Sequence, residues 1–215
     1  MSEQTPSRSA VSAPDHRSRL RREALRVAAL SVGLALLLEL LQLVVGALTG
    51  AGYGAPAVTR DLLLKVPWAF VVCLALWLAI TLGSHRSATI LVVGLVAAPV
   101  ASLLARAAAE LAHAYMASAA PAGVPSAFLV AGLKGVEYAC LGLIVLWLRR
   151  QDWSAAVHHA GAGLLVGLLF GGLLLFFTER SAGDPLTTVA LEAWAVNELL
   201  FPAGCALILF GAGRQ

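Results

Sequence analysis

An all-α, polytopic membrane protein with about six transmembrane helices in one bundle is what this sequence predicts, on three observations. Sixty per cent of the 215 residues are hydrophobic and only 13% are charged, whereas a soluble domain carries about 25% charged residues. The apolar residues gather into six runs, each long enough to cross about 30 Å of hydrocarbon at helical rise. Lys and Arg fall in alternate connections between those runs, the pattern of a chain that weaves through a bilayer. With a mean hydropathy of +0.85, a water-soluble fold is excluded.

Residues 1–22 are rich in Ser, Pro and Arg without apolar periodicity, which predicts a disordered, basic cytoplasmic tail. The net charge of +3 does not argue for nucleic acid. Arg17, Arg19, Arg21, Arg22 and Arg26 stand immediately before the first apolar run, where an anionic leaflet or a cytoplasmic flank calls for them. Residues 23–215 form the six-helix transmembrane domain. Its spans are expected near Arg26–Leu48, Leu62–Gly83, Ala88–Leu111, Ser126–Leu148, Ala155–Phe177 and Thr188–Phe210. The first is too long for the apolar region of a cleavable signal peptide, about 7–15 residues, and contains Glu39 and Gln42, so it reads as a retained signal anchor. Breakers separate the spans, among them Gly50, Gly52, Gly54 and Pro56, then Gly83, then Pro121, Gly123 and Pro125, then Gly183 and Pro185. The tail, Arg86, Arg149, Arg150 and Arg214 fall on one side of the membrane, against only Arg60 and Arg180 on the other. Both termini are therefore expected in the cytoplasm, in a multi-pass protein of the cytoplasmic (plasma) membrane.

The fifth span carries Gly163, Gly167 and Gly171 at four-residue spacing, with Ala160 on the same face. Such a ridge lets a neighbouring backbone approach closely; packing within the chain is the favoured use, a homodimer or another membrane protein the alternative. Cys73, Cys140 and Cys205 lie inside apolar spans with no CxxC spacing, so they read as small core residues. Neither a metal nor a cofactor is expected.

Ionisable side chains inside the spans carry what functional information there is. Counted from the outer helix ends, Glu39, Glu137 and Glu198 lie roughly 15 Å deep, near the midplane, with Lys134 almost as deep. Gln42 and Glu192 are shallower; Lys65, Arg106, Glu110 and His113 lie towards the outer surface, where Lys65 and Arg106 can snorkel. Each charge held in hydrocarbon costs about 2.5–3.5 kcal/mol on insertion scales, so these groups need partners or water. Helical spacing pairs Lys134 with Glu137 and places Glu39 and Gln42 on one face. It also lines up Arg106, Glu110 and His113, all three faces being expected to point into the bundle. Lys65, Arg106 and Lys134 oppose five carboxylates, Glu39, Glu110, Glu137, Glu192 and Glu198. Either some of these are protonated or the cavity welcomes a cation. In the sixth span Pro202 frees the carbonyl of Glu198, beside Asn197, a combination suited to ion or proton handling. Pro67 reads as a first-turn proline and Pro99 as a second kink. A three-plus-three inverted repeat would give Glu39 and Glu137 related positions.

HExxH, GxSxG and Walker motifs are absent. Adjacent His158 and His159 point about 100° apart on a helix and would not share a ligand. The expected function is binding of a small polar or cationic solute, or protons, in an outward-facing intramembrane cavity, as a component of a transport system. The expected ligand-binding residues are Glu39, Gln42, Lys134, Glu137, Glu192, Asn197 and Glu198, with Arg106, Glu110 and His113 in a second tier. Two other readings stay open: an intramembrane enzyme acting on a lipid or peptide with Glu137 and Glu198 as acid and base, and a non-catalytic scaffold subunit in which all charges pair without a cavity.

Overall fold

The structure is a computed structural model that describes residues 14–50, 54–82, 87–116, 126–182 and 188–212, without the side chains of 14–17, 109, 111–116, 127, 182 and 188–190. They form α1 (Pro14–Thr49), α2 (Ala55–Leu82), α3 (Ser87–Met116), α4 (Ala127–Arg149), α5 (Ala156–Ala182) and α6 (Thr188–Ala212). All six are long and apolar enough to cross a membrane. The shortest, α4, has 23 residues, or about 34 Å at helical rise.

Helix ends depart from the expected spans where polar residues continue a helix beyond its apolar stretch. Residues 14–22 are helical rather than irregular: Pro14 opens α1, where its fixed φ suits a first turn and its missing N–H costs nothing. Arg19 and Glu23 pair one turn apart at 3.3 Å, and the long apolar span behind them supplies the nucleus that a short basic segment lacks. Residues 1–13 of the expected tail lie outside the described residues. α2 begins at Ala55, with the Thr59 hydroxyl donating to the Ala55 carbonyl at 2.9 Å. Pro67 is therefore interior to α2 rather than in its first turn, and it removes the donor for the Leu63 carbonyl. α5 runs on to Ala182, with Thr178 and Ser181 each donating to the carbonyl four residues earlier at 2.8 Å.

Each helix packs on its neighbours in sequence, and α1 closes the ring on α6; across the middle, α2, α4 and α6 touch one another. The odd-numbered helices thus stand outside an inner trio. In the most apolar stretch of each helix, 50% of α4, 44% of α6 and 39% of α2 is buried, against 22% of α5 and 28% of α3. Leucines such as Leu36, Leu37, Leu40, Leu165, Leu168 and Leu169 face outwards, a surface suited to lipid contact. The core between the inner helices holds Val72, Leu76, Tyr138, Leu141, Cys205 and Leu209. Cys73 and Cys205 are free thiols with sulfurs 3.3 Å apart between α2 and α6, packing as small soft residues.

Glycine sets the closest approaches. A methyl group on Gly163 would strike the backbone of Pro202 and Ala203, and one on Gly167 the carbonyl of Glu198. Gly171 faces the Glu198 side chain and Trp194. The ridge on α5 is used inside the chain, against α6. Pro202 leaves that Glu198 carbonyl without its helical donor, and the missing side chain of Gly167 is what lets the α5 backbone approach it. The same device recurs between α3 and α4. Pro99 strips the donor from the Leu95 carbonyl, and Gly135 packs against both.

Candidate functional site

Two ionic clusters stand in the half of the molecule nearer the α1–α2 connection. Glu39 and Gln42, one turn apart on α1, both turn inwards and are buried. Lys65 of α2 lies equally far from the α1–α2 connection, so antiparallel packing brings its ammonium to them. It forms an ion pair with Glu39 and donates to Gln42 Oε1 at 2.5 Å.

The second cluster centres on Lys134 of α4. Its Nζ donates to Glu137 Oε2 at 2.8 Å, one turn along the same helix, and also bonds to Glu198 of α6. A single ammonium is thus shared by two carboxylates from two inner helices. Lys134 Nζ also lies 5.9 Å from the centre of the Tyr138 ring. Tyr138 stands edge-on to Trp68 and to Phe201, with ring centres 5.9 Å and 6.0 Å apart, an arrangement favoured by ring quadrupoles. Three aromatic side chains from α2, α4 and α6 therefore back the ion cluster.

These groups border a cavity of about 380 Å³ to which all six helices contribute. Its polar lining includes Lys65, Lys134, Asn197 and Glu198; much of the rest is apolar. Volume and lining suit a small organic molecule, since ligand pockets commonly occupy about 300–1,000 Å³. Glu39, Gln42 and Glu137 do not line it. They stand behind the two lysines, and the Glu137 side chain is only 1% exposed against 15% for Glu198. Glu137 Oε1 is buried with no hydrogen-bond partner among the described residues.

The remaining expected residues lie elsewhere. Glu192 accepts from the Thr49 hydroxyl at 3.0 Å, joining α6 to α1 away from the cavity. Arg106 and Glu110 do not point into the ring of helices: they stand 4.0 Å apart with side chains 47% and 76% exposed. They stand towards the Met116 end of α3 on a face turned outwards, where burial is not required of them. The His113 side chain lies outside the described residues. His158 accepts from the Ala155 N–H at 3.2 Å and faces Trp153, while His159 turns inwards to Phe210; the two diverge as their adjacency demands. Glu39 takes its cation from another helix and Glu137 from its own, so the inverted repeat gains no support.

Lys65, Trp68, Tyr138 and Phe201 were not among the residues expected at the site. A span start at Leu62 puts Lys65 towards the outer surface; α2 begins instead at Ala55, which sets Lys65 level with Glu39. The aromatics carry no signal, since apolar residues fill every span. Against known proteins, the chain matches no protein family, no curated protein and no solved structure.

Proposed function

We propose that this chain lies in the cytoplasmic membrane with both termini in the cytoplasm and binds a small polar or cationic solute, or a proton, in a cavity open to the extracytoplasmic side, as a component of a transport system. The observation that carries the reading is Lys134 shared between Glu137 and Glu198 at the wall of a 380 Å³ cavity. Buried ion pairs are rarely the most stable filling for a core, because desolvation offsets much of their attraction. Ionisable groups kept within a span and turned onto a cavity point to a solute or proton path. An acid–base enzyme would need both Glu137 and Glu198 to reach its substrate, and Glu137 is screened behind Lys134. A scaffold would need no cavity.

The orientation rests on the Lys and Arg asymmetry between alternate connections, to which Arg60, held by Asp61 at 3.2 Å, and Arg180, over the Phe176 ring at 4.9 Å, are the exceptions. Reporter fusions after Ser84 and Gln151 are expected to read cytoplasmic, and fusions near Gly52, Gly123 and Gly183 extracytoplasmic. A cytoplasmic signal at Gly123 would overturn the orientation. Access is tested at Asn197, which lines the cavity. With the native cysteines replaced by Ala, Asn197→Cys is expected to react with a membrane-impermeant maleimide added outside intact cells. Labelling only after permeabilisation would reverse the side on which the cavity opens, and no labelling in either case would remove the cavity reading.

A further inference from the structure

We propose that the occupant of this cavity is an organic cation with an apolar body, drawn by the net negative charge of the ion clusters beside it; the inference rests on the solute-binding reading above. The cavity wall supplies the first part of the case. Leu38, Leu64, Trp68, Tyr138 and Phe201 give it an apolar and aromatic surface, which would strip the water from a metal ion without offering the six or more oxygen ligands that a hard cation requires. An alkylated or aromatic ammonium is weakly hydrated and is attracted to ring faces.

Charge supplies the second part. Glu198 is faced from α4 by Lys134, Glu137 and Tyr138, and from α2 by Lys65, itself paired with Glu39 of α1. From α5 it meets the glycines Gly167 and Gly171, while Glu192 on its own helix is engaged with Thr49. Two ammoniums therefore oppose three carboxylates, Glu39, Glu137 and Glu198, and the fully ionised cluster carries one net negative charge. Binding an anion would deepen the imbalance, and binding a cation offsets it. Glu198 is the point of contact because, of the three carboxylates, it is the one that lines the cavity.

The test uses the full chain in detergent and three probes of similar shape: benzyltrimethylammonium, its uncharged carbon isostere neopentylbenzene, and benzenesulfonate. Binding is followed by tryptophan fluorescence, to which Trp68 in the cavity wall contributes. The expected result is that the cation binds at least tenfold more tightly than its isostere and than the sulfonate. Glu198→Gln should abolish the preference for charge, and Glu198→Asp should retain it. The wild-type comparison of charged and uncharged probes stands even if Glu198→Gln does not fold. Equal binding of the isostere or preference for the sulfonate would each overturn the inference while leaving a solute cavity in place. Failure of all three probes overturns the inference alone if Asn197→Cys is labelled, and the cavity reading with it if Asn197→Cys is not.

Discussion

Lys134→Met should destabilise the protein by about 3–5 kcal/mol, the usual consequence of truncating one member of a buried ion pair. The ammonium sits between Glu137 and Glu198, whose side chains are 1% and 15% exposed, and its loss leaves two carboxylates facing each other without the cation that bonds them. The double variant Lys134→Met/Glu137→Leu should recover only part of the stability, because Glu198 remains. The triple variant with Glu198→Leu added should return close to wild type, as apolar replacement of a whole buried cluster commonly does. Thermal melting in detergent reads all three. A triple variant as damaged as the single would show that the three groups do not form one structural unit.

The second large effect is expected at the α5–α6 contact. Alanine is favoured over glycine within a helix by about 1 kcal/mol, so Gly172→Ala, whose added methyl meets open space, should leave the melting temperature unchanged or raised. Gly167→Ala should lower it, by an amount corresponding to about 1–3 kcal/mol, because the same methyl would strike the Glu198 carbonyl and the Leu199 backbone. The opposite signs of two chemically identical substitutions five residues apart make the comparison sharp. Equal effects at the two positions would mean that α5 and α6 do not meet through this ridge.

What the sequence made legible follows from the range over which each interaction acts. The six spans are set by composition along the chain, and all six appear as helices. The Lys134–Glu137 pair and the Gly163–Gly167–Gly171 ridge were legible because both partners, or the whole face, lie on one helix at fixed spacing. Glu198 joining Lys134 was not legible, because it depends on the rotation of α6 against α4, which no single helix encodes. The same rotation put Glu137 behind its lysine instead of on the cavity. Arg106 and Glu110 were misplaced for a related reason: their spacing puts them on one face of α3, but the way that face turns is set by packing on α2 and α4. Ending each helix with its apolar stretch hid the helical start of α1 at Pro14 and the interior position of Pro67.

The arrangement of counter-charges also fixes an order in which the chain can enter the membrane without carrying bare charge. Helices emerge from synthesis one after another, and α1 with α2 brings Glu39 and Lys65 in together as a neutral hairpin. α4 brings its own neutral pair in Lys134 and Glu137. α6 alone arrives with an acid and no cation on its helix, and Glu198 finds its partner on a helix already in place. Closing the ring is then coupled to neutralising that last charge: α6 docks on α5 through the glycines, reaches α4 through Lys134, and meets α1 where Glu192 accepts from Thr49 and Gly204 receives the Leu34 side chain. The group proposed to meet the cation in the finished protein is thus also the one that tells the final helix where to stop.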